Sequence, residues 1–272
     1  MIELQKGTKI FGKQYEYGYN NETHAPGSVV RVLFDEMIKL DINSAEYLYN
    51  SYTDLSARYK TGSRPLLENI VNKLKDDINA KTIDNIIKYC RDIVESCDTD
   101  TDDFVYGGTE EEIIGRTSYW CTDIARVACV LFQIAGFPSR IIVTANTRFP
   151  YCGHIVTEVY YDGKWCVTDP NAGVVFRHED GTPASAWEVH NDYEIANRIY
   201  RISDPDCMEG NSVFFPPGEQ FESVGIVNYY IDDESNYNYE TSGTNEFYRE
   251  ILKHSKRKWA DGLRWVHGEE LL

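Results

Sequence analysis

The chain has 272 residues, 42% of them hydrophobic and 26% charged, enough to bury a substantial core in one large domain or two modest ones. Lys and Arg total 27 against 44 Asp and Glu, and the formal net charge of -17 repels phosphate backbones and anionic bilayers. Nucleic acid and membrane surfaces are therefore excluded as expected partners.

The opening residues Met1-Ile2-Glu3-Leu4-Gln5-Lys6 hold no apolar run of the signal-peptide type, and no stretch approaches the ~20 apolar residues of a membrane span. Seven cysteines, an odd number in a chain too large to need stapling, fit a reducing compartment, so a cytoplasmic setting is expected. Asn21-Glu22-Thr23 has the form of a glycosylation sequon, which that setting leaves without use. The aromatic share is 13%, with 20 Tyr, and suggests amphipathic surface or grooves without naming a ligand.

Residues 1 to about 27 are rich in Gly and Tyr and read as irregular or short-strand structure ending at Pro26-Gly27. From Ser28 to Cys97 the apolar spacing predicts helices. Val29, Val30, Leu33, Met37 and Leu40 recur at three- and four-residue steps, as do Leu66, Leu67, Ile70, Val71, Leu74 and Ile78. Arg64-Pro65 marks one helix start, and Thr82 is a candidate cap for a further helix through Ile86, Ile87, Tyr89, Cys90 and Ile93. The acidic run Asp98 to Asp103 lacks the glycine and the closing Glu of a calcium loop and reads as a solvated linker.

Ser118 is placed to cap a helix over Tyr119 to Ala135, stopped by Gly136 with Pro138 just beyond. Within it Asp123, Arg126 and Gln133 form one narrow polar stripe, and every other side is apolar, which predicts a helix enclosed by its domain. Cys121 falls in the first turn. There the unpaired backbone N–H groups and the positive end of the helix dipole favour a thiolate, and an N–H can donate to an oxyanion. A lone cysteine is more often a small buried hydrophobe, and Cys90, Cys97, Cys129, Cys166 and Cys207 read that way.

His154 to Tyr161 and Lys164 to Asp169 are strand-like runs separated by Asp162-Gly163, a strong hairpin signal. A two-residue turn pairs Tyr161 with Lys164, so Asp169 lies opposite Val156. His154, two residues earlier, then projects from the same face as a diagonal neighbour roughly 7 Å away. An imidazole and a carboxylate can bond across that gap, and a one-residue bulge would separate them. The tail offers a helix from Trp187 to Tyr200, a turn at Pro216-Pro217, a strand near Val224 to Ile231 and a terminal helix from Asn245. Helices, then a helix with strands, then a mixed tail give an α+β class.

Tyr119-Trp120-Cys121-Thr122-Asp123-Ile124-Ala125, the turn Ala135-Gly136-Phe137-Pro138-Ser139-Arg140, and the run from His154 to Asp169 together resemble the transglutaminase-like core of the papain-like cysteine enzymes. The resemblance spans Arg116 to Phe176. It implies an α+β core in which the nucleophile helix packs on an antiparallel sheet, preceded by a helical region. The expected division is a mainly helical region over 1–100, a catalytic core over 104–178, and a mixed part over 179–272 packed on the core. Cys121 is then the nucleophile, His154 the base and Asp169 its orienting carboxylate, with Tyr119 and Trp120 shaping an acyl-donor pocket or supplying an oxyanion donor.

The chain departs from the family in having Trp120 where a Gly often precedes the Cys, and Ile155 and Val156 where an aromatic often follows the His. The implied chemistry is acyl transfer from a peptide or glutamine amide through a thioester, with a protein or peptide substrate and no cofactor. Water as acceptor would make the chain a protease or amidase. A peptide N-glycanase-like hydrolase uses the same residues but usually carries paired Cys-x-x-Cys zinc motifs, and here Cys152-x-His154 is the only close Cys/His pair, so no metal is expected. A binding module that keeps the fold without chemistry is the remaining alternative.

Overall fold

A helix that is apolar on nearly every side has to be enclosed, and the structure encloses the one that begins at Cys121. The computed structural model describes residues 37–50, 55, 57, 59–97, 108–145, 153–203 and 223–227. In chain order their elements are β1 (Ile38–Leu40), α1 (Ile42–Tyr49), α2 (Pro65–Leu74), α3 (Asn79–Glu95), α4 (Glu110–Arg116), α5 (Cys121–Ala135), β2 (Ser139–Ala145), β3 (Gly153–Tyr161), β4 (Lys164–Asp169), β5 (Val174–Val175), α6 (Ala186–Asn191), α7 (Tyr193–Ser203) and β6 (Ser223–Val227). The strands form one antiparallel sheet in the order β1-β6-β2-β3-β4-β5. The class is α+β, as the order of elements predicts.

Strand alternation gives the sheet two buried faces. On one, Ile141, Val143, Val159, Tyr161 and Cys166 pack with α2, α3, α4 and α5 into the larger core. On the other, Ile142, Val156, Val167 and Val174 pack with Leu40, Leu48, Ala186, Val189 and Ile195, so α1, α6 and α7 cover that side. Asp123, Arg126 and Gln133, the polar stripe of α5, are buried with the rest of the helix. Gly136, at φ 98, ends it: its N–H reaches the Gln133 carbonyl (3.0 Å), and the Phe137 N–H reaches that of Phe132 (2.9 Å). A left-handed residue at that position is what glycine supplies without strain.

Several boundaries differ from those the sequence predicts. Ile38–Leu40 is a strand and not the end of a helix: Asp41 caps α1 through a reciprocal box with Ser44, which leaves Leu40 extended and paired with β6. Val29, Val30 and Leu33 lie outside the described residues, as do residues 1 to 27, the Asp98 to Asp103 run, Pro216-Pro217 and the segment from Asn245. Helix α2 begins at Pro65 as expected but stops at Leu74, and Ile78 is exposed. Thr82 does not cap α3, which starts at Asn79; its hydroxyl exchanges bonds with the Asp76 backbone instead.

The expected helix over 187–200 is broken at Asp192, whose carboxylate accepts the Glu194 N–H (3.2 Å) and so starts α7 afresh. Strand β6 covers Ser223–Val227, and the rest of the predicted strand lies outside the described residues. Among the described residues no helix is long and apolar enough to cross a membrane.

Arg140 explains the end of the Gly-Phe-Pro-Ser-Arg turn. It sits directly across from Glu158 in the β2–β3 register, and its Nε donates to Glu158 Oε2 at 2.7 Å, both residues being fully buried. The guanidinium also donates to the Leu48 carbonyl (2.7 Å) and stacks 3.8 Å from the Trp165 ring centroid. Glu158 accepts in turn from the Tyr49 hydroxyl (2.9 Å) and the Ala186 N–H (2.7 Å), so one ion pair ties α1 and α6 to the sheet. Burial and the neighbouring Glu158 carboxylate push the Tyr49 hydroxyl well above its ordinary pKa, which keeps it a donor. Arg140→Leu leaves Glu158 charged in an apolar layer and is expected to cost about 3–5 kcal/mol in urea unfolding. A loss no larger than that of an ordinary surface substitution would contradict this role.

Candidate active site

Helix α5 begins two residues later than the sequence suggests. Trp120 is the flanking residue, with no side-chain cap, and Cys121 is the first helical residue. Ser118 does not cap the helix; its hydroxyl accepts the Trp120 N–H (3.2 Å) and donates to Asp123 Oδ2 (3.1 Å). The shift puts Cys121 at the positive pole of a 15-residue helix, among N–H groups that the helix itself cannot satisfy. Cys121 is partly exposed, whereas Cys90, Cys129 and Cys166 are buried. Burial pushes the Cys129 and Cys166 thiols up to about 12 and that of Cys90 up as well. Cys97 is partly exposed but follows the C-terminus of α3, the wrong pole for a thiolate.

The β3–β4 hairpin turns on Asp162 (φ 49) and Gly163 (φ 83), and two successive positive φ values make a type I′ turn. Its register is the predicted one, from Tyr161 opposite Lys164 to Thr157 opposite Thr168, with no bulge. His154 and Asp169 therefore share a face, the one that carries Val156 and Val167, and Cys121 is near enough to act on the His154 ring. His154 Nε2 lies 3.3 Å and 3.4 Å from the two Asp169 oxygens. That is long for such a bond. Asp169 is itself held: Oδ1 accepts the N–H groups of Asn171 (3.1 Å) and Ala172 (3.3 Å).

Burial lowers the His154 pKa, but the Asp169 carboxylate, and beyond it a hydrogen bond and charge from Cys121, outweigh it and raise the value to about 10. Asp169 and Cys121 both favour the protonated ring. Nε2 is the ring nitrogen that faces the carboxylate.

Tyr119 and Trp120 form the extended approach to Cys121. Their rings stack with centroids 5.9 Å apart at 18°, and Trp120 packs against the larger core. The Trp120 backbone N–H is taken by Ser118, and the Tyr119 carbonyl accepts from Asn171 Nδ2 (2.9 Å). Thr117, one turn upstream, has φ 64 and ψ 164, a conformation that a β-branched residue adopts only under restraint. Cys152 lies outside the described residues, and among those described no group of three or more His, Cys, Asp or Glu is placed to hold a metal ion.

A buried charge network supports this end of α5. Arg116 Nη2 donates to Asp123 Oδ2 (2.6 Å), Arg126 pairs with Glu110 (2.8 Å), and Arg64 bonds Glu110 (2.9 Å) and Glu111 (2.6 Å). Three guanidinium groups face three carboxylates, so the charges balance within the network. The polar stripe on an otherwise apolar helix was the signal for it, since buried charges require partners. Nothing in the local sequence marks Asn171.

Residues 64–170 match the family model described as the transglutaminase-like superfamily. The match opens at Arg64, which flanks α2, and closes one residue after Asp169, so it contains Cys121, His154 and Asp169. Searches of curated proteins and of solved structures return no match.

The raised His154 pKa has a testable sign. A group whose folded pKa lies above its ordinary value of about 6.5 stabilises the fold fully below that value, and the contribution is lost as pH rises toward about 10. In an NMR titration the His154 ring should therefore change protonation well above pH 6.5, and Asp169→Asn should bring the midpoint down. A wild-type midpoint at or below pH 6.5, or one that Asp169→Asn leaves in place, would contradict the arrangement.

Proposed function

We propose that this chain, whose residues 64–170 form a transglutaminase-like core, is a cysteine-dependent enzyme that transfers the acyl group of a peptide or glutamine-side-chain amide through a thioester on Cys121. The observation that carries this reading is a single ring: His154, buried, with Asp169 on one nitrogen and Cys121 close enough to raise its pKa.

In the reaction we infer, the Cys121 sulfur attacks the amide carbon and the carbonyl oxygen becomes an oxyanion. The Cys121 N–H, first in α5 and outside its i→i−4 ladder, is the donor best placed for that charge. The Trp120 N–H is already committed to Ser118. The protonated His154 gives its proton to the departing amine as the carbon–nitrogen bond breaks, leaving the thioester and a neutral imidazole. An acceptor then attacks the thioester while His154 takes the acceptor's proton, and Cys121 is released. Asp169 keeps the ring oriented and supports the imidazolium at the start and end of the cycle.

An amine acceptor gives a new amide, and water gives hydrolysis; both follow from one intermediate. The substrate we infer is a protein or peptide, since the reacting groups lie beside the partly exposed first turn of α5.

The test is turnover of a panel of peptide amides and glutamine-containing peptides, with and without a fluorescent primary amine, followed as ammonia or amine release. Cys121→Ala should fall to background on every donor, and Asp169→Asn should lower kcat about 10²- to 10⁴-fold. Product carrying the amine marks a transferase, and its absence with continued release marks a hydrolase. A folded Cys121→Ala variant that turns over every donor used by the wild type would overturn the proposal.

A further inference from the structure

Three of the polar groups of Asn171 are engaged with three separate parts of the molecule. Its backbone N–H donates to Asp169 Oδ1 (3.1 Å), its side-chain Nδ2 donates to the Tyr119 carbonyl (2.9 Å), and its backbone carbonyl accepts from Arg91 Nη1 (2.6 Å). Only the amide nitrogen can serve the Tyr119 carbonyl, because two carbonyl oxygens cannot share a hydrogen, so chemistry sets the amide's orientation. The remaining atom, Oδ1, is buried and accepts no hydrogen bond among the described residues.

Asn171 bridges two segments that the fold brings together from 52 positions apart in the chain. On one side is the Asp169 turn. On the other is the approach to α5, where Thr117 is strained and where Arg116 and Ser118 both bond Asp123. Those last contacts join residues within one short stretch and fix its shape, while the packing of α5 on the sheet sets where the helix as a whole sits. The bond from Asn171 to Tyr119 adds a direct tie between the residues just before Cys121 and the Asp169 turn. Arg91, from α3, steadies the bridge from behind.

From this geometry we infer that Asn171 is a positioning residue: it holds the start of α5 in register with the Asp169 turn, and so sets the distance from Cys121 to His154. The inference rests on the proposed Cys121–His154–Asp169 unit and adds to it a fourth residue that touches neither the substrate nor the reacting sulfur. Displacement of a reacting group by about 1 Å can cost about 10²-fold in rate, so one lost hydrogen bond at this joint is enough to be measured.

The experiment is alkylation of Cys121 by iodoacetamide at about pH 6 and about pH 9 in the full chain, read by peptide mass spectrometry so that the other cysteines do not contribute. Asn171→Ala should lower the Cys121 rate about tenfold at the acidic pH, where the reaction draws on His154 held beside the sulfur. At about pH 9, where thiols ionise unaided, the rate should stay within about twofold. Asn171→Leu keeps the side-chain volume, adds no charge and lacks the donor. It should behave like the alanine variant, and it carries the test if that variant does not fold.

His154→Ala is the control for the underlying reading and should show the same acidic loss. If His154→Ala loses reactivity at about pH 6 while Asn171→Leu matches the wild type, Asn171 has no positioning role and the inference is overturned on its own. If His154→Ala also matches the wild type, the Cys121–His154 pairing fails and takes the inference with it. A loss of equal size at both pH values in Asn171→Leu would reflect general damage and would overturn the inference too.

Discussion

The constraint on which the rest of the structure depends is the placement of α5: the helix must be enclosed along its length while its first residue stays within reach of solvent. Twelve of its fifteen residues are buried, and Cys121 is partly exposed at one end. Enclosure needs four-sided cover, which α2, α3, α4 and one face of the sheet provide. It also forces the polar stripe into the interior, where Asp123 and Arg126 would be prohibitive without partners. The Arg64–Glu110–Arg126–Asp123–Arg116 chain answers that need, and it does so at the end of the helix that carries the cysteine.

The second requirement is that the sheet deliver an imidazole and a carboxylate to that same end. A type I′ turn with no bulge does so, because strand pairing then leaves no freedom in which residues share a face. Arg140 and Glu158 lock β2 to β3 across the same register and tie the covering helices to the second face. The polar groups of the fold therefore fall into two sets. One holds the layers together, and the other surrounds Cys121, His154 and Asp169, the residues of the proposed site, where Asn171 bonds both Asp169 and the Tyr119 carbonyl.

Much of this was legible before any coordinates, for physical reasons. The enclosed helix, its stop at Gly136 and the hairpin register are properties of contiguous residues: an apolar periphery, a left-handed position, and a two-residue turn. The resemblance of Cys121 to Asp169 to a transglutaminase-like core rests on those same features, and the family match over 64–170 agrees with it. What was illegible depends on residues far apart in the chain. The bond from Asn171 to Tyr119 and the pair between Arg64 and Glu110 leave no periodic trace. Local competition also escaped the pattern. Asp41 and Asp192 each begin a helix where apolar spacing ran on, and Ser118 spends its hydroxyl on Trp120 and Asp123 instead of on the first turn of α5.

The central claim is that Cys121 becomes acylated by an amide with help from His154. The most direct measurement is acid-quenched peptide mapping by mass spectrometry after brief incubation with a donor peptide. The account predicts a mass increase on the Cys121 peptide equal to the donor acyl group, removed by hydroxylamine, and absent in His154→Ala. Donor turnover by the wild type with no adduct on Cys121 under any quench time, or an adduct of equal yield in His154→Ala, would contradict it.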